Sequence, residues 1–285
     1  MSKHSSIPGM AIAFCCLLAS TLPAQWLHYP TAGVPKNKQG KPNLQAPTPR
    51  TRDGKPDFSG LWWIAGPARA CPEHLGGPGD CIEKGLGLAN QGGADLASQA
   101  VNIATDLAGG LPYQPWAAQL VQQRSREVDP HVRCLPSNFP RFYTLPHVQK
   151  VIQTPGLLVM LNEYNSSYRQ IFTDGRPLPE DPQPSWNGYS SAKWERDTLV
   201  VHTIGFRDDL WLDMAGNPLT EAAKVTERIR RPNYGSLEID ITVDDAKAYT
   251  KPWTVKIQLF LVLDTELVDE ICLENEKSAQ HMTGK

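Results

Sequence analysis

From residue 148 onward the apolar residues recur at every second position, and that period restricts this part of the chain to strands buried on one side. Leu237, Ile239, Ile241 and Val243 share one face, while Glu238, Asp240 and Thr242 share the other. Trp253, Val255, Ile257, Leu259 and Leu261 repeat the pattern. The alternation and its turn residues predict strands over 148–154, 157–164 and 167–173, joined at Pro155-Gly156 and Asn165-Ser166 and closed by Asp174-Gly175-Arg176. A proline-rich excursion over 177–184 follows. Further strands are predicted over 189–194, 198–204, 224–230, 237–243 and 253–262, with a possible last one over 268–273 and an early one over 58–65. So many short-linked strands expose edges unless the sheet closes. The predicted fold is therefore mainly β, an antiparallel up-and-down barrel of about eight strands; a two-sheet β-sandwich is the alternative.

The remaining segments frame that barrel. Residues 1–24 carry Lys3 and His4, an apolar run from Met10 to Leu22 too short to span a bilayer, and Ala24 at a plausible cleavage point. They read as a signal peptide, which implies a periplasmic or secreted protein with no transmembrane segment in the mature chain. Residues 25–57 are rich in proline and lysine and predict an extended arm. Within it, Gly40-Lys41-Pro42-Asn43-Leu44 returns as Gly54-Lys55-Pro56-Asp57-Phe58. Residues 58–285 form a single barrel domain, with an insertion over 66–147 that holds helical spacing around 94–107 and, after Pro115, over 116–126.

Export changes the reading of the cysteines. Cleavage leaves Cys71, Cys81, Cys134 and Cys272, an even number that favours disulfides in an oxidising compartment. Cys71 and Cys81 bracket a Gly/Pro loop that can close on itself, which pairs Cys134 with Cys272 by elimination. Zinc is the rival, but no CxxC spacing occurs and no metal site is expected. Of the 28 Lys and Arg, cleavage removes one, leaving a near-neutral balance against 30 acids and no case for nucleic acid as partner.

Two resemblances enter here. Gly60-Leu61-Trp62 is similar to the Gly-x-Trp that opens the first strand in the calycin and lipocalin superfamily, whose usual companion, an arginine late in the barrel, has no clear match in the last strands. More broadly, the chain resembles a large group of exported, mostly uncharacterised bacterial proteins of the acidobacterial type. The carrying segments are Trp26-Leu27-His28-Tyr29-Pro30, Leu111-Pro112-Tyr113-Gln114-Pro115-Trp116, Arg133-Cys134-Leu135-Pro136, Thr173-Asp174-Gly175-Arg176-Pro177, Trp194-Glu195-Arg196-Asp197-Thr198-Leu199-Val200-Val201 and Ala248-Tyr249-Thr250-Lys251-Pro252-Trp253. That resemblance implies export and a β-rich domain, with no settled activity. It also marks departures at Arg196 and Leu219, where relatives tend to carry glycine and histidine.

Glu227 alternates with Val225 and Ile229 on an otherwise apolar face, where an isolated carboxylate is costly. It reads either as a general base or ligand anchor, or as the partner of Arg228, Arg230 or Arg169. His202 shares a face with Val200 and Ile204; if that face is interior, His202 and Glu227 form an acid/base pair, and otherwise His202 is a histidine hydrogen-bonded in the core or exposed on the outer face. Glu163, Arg169, Asp174 and Arg176 cluster around one hairpin, either as candidate polar groups at a barrel mouth or, for Asp174-Gly175-Arg176, as a turn with a salt bridge; Trp186 and Tyr189 are stacking surfaces for a planar ligand or core residues. Asp208, Asp209 and Asp213 have oxygen-rich spacing without the glycine and glutamate of a calcium loop. No nucleophile elbow, phosphate loop or dinucleotide fingerprint occurs, and no cofactor is indicated. The expectation is an exported barrel that binds a small molecule inside; the alternatives are a secreted enzyme acting on a sugar or polyphenol fragment, and an envelope-associated structural protein whose arm docks a partner.

Overall fold

The alternating segments close into a barrel of nine strands in a computed structural model that describes residues 29–64, 102–104, 107–124, 128–145 and 147–272. The predicted signal peptide over 1–24, Cys71 and Cys81, and most of the 94–107 spacing lie outside the described residues. Around the ring the strands are β1 (Gly60–Trp63), β11 (Trp253–Val262), β10 (Ser236–Asp244), β9 (Lys224–Asn233), β6 (Thr198–Ile204), β5 (Tyr189–Glu195), β4 (Ser167–Phe172), β3 (Leu157–Asn162) and β2 (Gln149–Thr154), which returns to β1. A separate pair, β7 (Leu210–Trp211) and β8 (Pro218–Leu219), lies in the connection after β6.

The predicted barrel is thus the observed fold, with one change of direction. An odd ring cannot alternate strand direction all the way round, so one seam must be parallel. That seam is β4 against β5, which share only the pairs Ile171↔Ser190 and Phe172↔Ser191. The proline-rich excursion carries the chain back along the barrel to make it. The possible strand over 268–273 does not form within the described residues, which continue to 272 as irregular chain.

Register sorts the side chains. Trp62, Val151, Met160, Ile171, Ala192, Val201, Ile229, Ile239 and Ile257 point inward and are buried. Exposed Tyr168, Gln170, Lys193, His202 and Arg228 point outward between them. Ile241 and Val243, with their β11 partners Val255 and Trp253, carry the apolar face predicted from sequence.

Each end of the barrel is closed by a non-strand segment. At one end the arm crosses the openings: Thr31 bonds Asp264 just past β11, Leu44 and Ala46 accept from Gly235 and Tyr234 in the β9–β10 turn, and Arg50 grips Asp197 in the β5–β6 turn. Phe58, the last residue of the second repeat, is fully buried against Trp194. Here Arg231, at the end of β9, lies over the Trp62 ring at 4.8 Å and donates to the carbonyls of Asp57, Ser59 and Tyr234. It joins the end of the arm to the first strand and to the β9–β10 turn. Gly60 is required beside it, because its φ is +144° and a Cβ would stand 2.7 Å from Leu261 Cδ1.

The opposite end gathers the long connections. Helix α1 (Pro115–Gln123) starts on a proline whose missing N–H has no helical partner to lose, and Ala117 is its buried residue. The segment 128–145 then turns into the barrel through two short 3₁₀ turns, Pro130–Arg133 and Arg141–Tyr143. Phe139, Phe142 and Tyr143 join the core at this point. Asp129 and Arg141, both buried, hold the segment's shape through a bidentate ion pair of 2.8 and 2.6 Å. Cys134 and Cys272 are disulfide-bonded, tying this segment to the chain's last described residues as the sequence predicted.

Candidate functional site

Inside the barrel the apolar lining is interrupted by one charged pair. Arg169 on β4 reaches across to Glu227 on β9 with two hydrogen bonds, 3.1 and 2.5 Å, and neither side chain is more than 1 % exposed. The same guanidinium donates to Ser190 on β5 and to Thr203 on β6, at 3.0 and 2.9 Å. Four strands meet through one side chain, and the parallel seam lies between the first two. Such a pair survives burial because its donors and acceptors are nearly all used.

The fourth wall of this site comes from the inserted segment. Tyr143 donates its hydroxyl to Glu227 Oε1 at 2.7 Å, and the Phe139 ring lies 3.5 Å from the Arg169 guanidinium carbon. Burial, reinforced by the Glu227 carboxylate, raises the pKa of the Tyr143 phenol well above its ordinary value, so it acts here as a fixed donor. Met160 sulfur lies 3.4 Å from the same hydroxyl. The interior is therefore filled at this level by a loop rather than by strand residues.

The sequence-predicted residues divide into separate places. Arg169 and Glu227 come together, as one of the two readings of Glu227 expected. His202 does not join them. It pairs in register with Thr226, whose side chain points outward, and its Nδ1 lies 3.2 Å from Thr226 Oγ1. The acid/base pair of His202 and Glu227 is thereby corrected: the face His202 shares with Val200 and Ile204 is the exterior, one residue out of phase with Glu227. His202 instead lines an external groove of about 330 Å³ with Ile204, Lys224, Thr226 and Asp244.

Asp174, Arg176 and Tyr189 gather on the outer wall, apart from Arg169 inside the barrel, so the predicted mouth cluster does not form and Asp174–Arg176 is a salt bridge in the turn. Arg176 is held by Asp174 at 2.6–3.0 Å and covers Phe172 at 3.9 Å, while Tyr189 stacks on Phe172 at 5.3 Å. Its bonds to Arg176 lower the Asp174 pKa. This cluster brackets the short parallel seam and satisfies its own charges. Trp186 packs against the core under Arg207 at 4.8 Å. Of the aspartates weighed for calcium, Asp209 meets Arg124, and Asp213 is buried, accepting from the Ile103 and Asn217 backbones. Burial raises the Asp213 pKa.

Glu163 lies apart in a second titratable group that the sequence did not reveal. Its Oε2 accepts from the Val148 N–H at 3.2 Å and stands 3.9 Å from His147 Nδ1, as does Glu270. Tyr164 packs against both His147, edge to face, and His131, with ring centroids 4.9 and 4.2 Å away. Burial lowers both histidines to about 4, with Arg141 adding to the effect at His131. Burial also raises the Glu163 pKa. The β2–β3 hairpin sets Glu163 and Tyr164 beside His147, and the segment and tail around the disulfide bring His131 and Glu270 to them.

Arg231 and Thr203 were legible in principle, since the period that selects Glu227 puts Arg231 on its face and Thr203 on that of Val201. Tyr143 and Phe139 had no such signal, lying in irregular chain. Among the described residues no group of histidines, cysteines and carboxylates is arranged to hold a metal ion, and no helix is long and apolar enough to cross a membrane. Compared with known proteins, the sequence matches no family model, and no curated protein matches it either.

Proposed function

We propose that this protein is an exported small-molecule-binding barrel, drawn with its chamber shut by the 128–145 segment. The observation that carries this reading is the origin of the groups that complete the polar site. Strands supply Arg169, Glu227, Ser190 and Thr203, while a loop supplies the aromatic face and the hydroxyl that cover them. A ligand entering on withdrawal of the loop would take over those two contacts, a planar face over Arg169 and a hydroxyl donated to Glu227. A hydroxylated aromatic compound meets both demands. The Arg231–Trp62 stack and the arm shut the other end, so the 128–145 segment covers the end through which a ligand would enter. The Cys134–Cys272 bridge is compatible with export.

The enzyme reading in its acid/base form falls with the separation of His202 from Glu227. The test of the binding reading is native mass spectrometry of the protein purified from its own host, followed by titration with 4-ethylphenol while methyl resonances of Met160 and Ile171 are observed. A copurifying small molecule, or saturable shifts at those methyls, is expected. A protein that emerges bare and whose interior methyls ignore the phenol would overturn the reading.

A further inference from the structure

The arm is a duplicated unit, and the structure shows what one copy of it recognises. Residues 35–44 and 49–58 correspond position by position: Pro35 to Pro49, Lys36 to Arg50, Lys38 to Arg52, Gly40 to Gly54, Lys41 to Lys55, Pro42 to Pro56 and Leu44 to Phe58. The correspondence extends to the backbone. Asn37 N–H bonds Lys41 O as Thr51 N–H bonds Lys55 O, Gly40 bonds Asn37 as Gly54 bonds Thr51, and Asn43 bonds Pro35 as Asp57 bonds Pro49. Isolated bridges Lys36↔Pro42 and Arg50↔Pro56 complete the match. Both are the same tight hairpin.

The second copy is docked on its own barrel. Arg50 forms a fork on Asp197 at 2.9 and 2.7 Å, Lys55 lies over the Trp194 ring at 5.8 Å, Pro56 is buried, and Phe58 packs against Trp194 at 5.3 Å. The surface it reads is therefore a carboxylate beside an indole, presented on a tight turn. The first copy is anchored without being docked in that way. Thr31 before it and Leu44 at its end are tied to the barrel, yet Lys36, Lys38, Lys41 and Pro42 stand in solvent. Among the described residues none of its three lysines meets a carboxylate. A hairpin held at both ends has already lost most of its conformational freedom, which lowers the cost of engaging a partner.

We infer that the first copy is a docking element for a second protein, one that presents a carboxylate beside an aromatic ring on a tight turn. This inference does not depend on the barrel's ligand. The docked copy argues for that partner over a generic polyanion, because it engages the Trp194 ring through Lys55 and Phe58 as well as the Asp197 carboxylate. A cationic loop reading charge alone would need only the lysines, whereas the unit also keeps the Gly-Lys-Pro turn that sets Lys41 as Lys55 is set over its ring; Leu44 packs on the barrel itself.

The test uses the full mature chain and a cyclised peptide bearing the sequence of residues 193–198, Lys-Trp-Glu-Arg-Asp-Thr, as the probe. Backbone amide shifts over 36–44 are expected on titration. They should be lost when the peptide's aspartate becomes asparagine, lost when its tryptophan becomes alanine, and lost in the protein variant Lys36→Glu/Lys41→Glu. Shifts confined to 50–58 would mean that the peptide merely competes at the occupied site, and would overturn the proposal. So would an absence of shifts over 36–44. Equal shifts from the alanine peptide, or from a heparin oligosaccharide, would overturn it in favour of simple polycation binding.

Discussion

Arg169 and Glu227 pose the energetic question at the scale of single residues. Burying two charges costs several kcal/mol each, which their mutual attraction repays only with good geometry. Truncating one partner leaves the other buried and unpaired, so Arg169→Met or Glu227→Leu alone should cost about 3–5 kcal/mol. The double substitution should recover most of that loss, because two apolar side chains can fill the space. Urea unfolding of the three variants measures the recovery, and a double variant no more stable than the singles would contradict it. His131 and His147 make a separate prediction. Both are neutral in the fold down to about pH 4, whereas in the unfolded chain they take up protons below about 6.5. Acidification therefore favours the unfolded chain. The stability they support is whole above pH 6.5 and is lost as the pH falls toward 4, by roughly 1–2 kcal/mol per histidine at pH 5 once partial exposure is allowed for. Glu163, whose pKa is raised by burial, offsets part of the loss at the acid end. Melting temperature should fall between pH 7.5 and 5, and His131→Gln/His147→Gln should flatten that fall. Sequence reading reached Glu227 because a lone carboxylate in an apolar alternation stands out, and it left His202 undecided between the interior and the outer face because alternation alone does not say which face is inside.

At the scale of elements, the alternation located the barrel strands to within a few residues, since a one-residue slip would turn every apolar side chain outward. It could not reveal the parallel seam, which follows from the parity of a closed ring and not from any local residue. Nor could it reveal β7 and β8, each two residues long and set by the buried turn around Asp213 and Asn217. The arm was legible as extended chain, but its role in closing the barrel depends on Arg231, whose partners are backbone carbonyls far away in sequence. Burial holds that guanidinium's pKa down to about 10, still charged at neutral pH. Arg231→Ala would strip the carbonyls of Asp57, Ser59 and Tyr234 of their donor and bare the Trp62 face. The expected cost is about 2–4 kcal/mol, from lost hydrogen bonds to a charged group and a lost cation–π contact. Arg231→Lys should restore little, because an ammonium cannot supply the planar fork. Denaturant midpoints, with protease sensitivity of the arm as a local readout, test both variants.

For the whole molecule, the decisive relation joins the inserted segment, the disulfide and the tail. Cys134 and Cys272 are 138 residues apart, so their bond restricts a large loop in the unfolded chain, worth about 4–5 kcal/mol on a chain-entropy treatment. The bond also has a local consequence. Cys134 sits between the buried Asp129–Arg141 pair and the neighbourhood of His131, and the tail opposite it is fastened by Lys150–Glu266 and by Glu270 N–H to Glu163 O. Segment and tail must therefore loosen together, while the strands keep their ladder bonds. Cys134→Ser/Cys272→Ser should accordingly raise amide exchange across 128–145 and 263–272 and leave β9, β10 and β11 protected. If that segment is the gate of a ligand chamber, the same variant should bind 4-ethylphenol faster than the wild type, because the cost of withdrawing Phe139 and Tyr143 falls. Faster exchange without faster binding would keep the segment as a structural stopper and remove it as a gate, whereas uniform loosening of segment and strands alike would show that barrel and stopper form one cooperative unit.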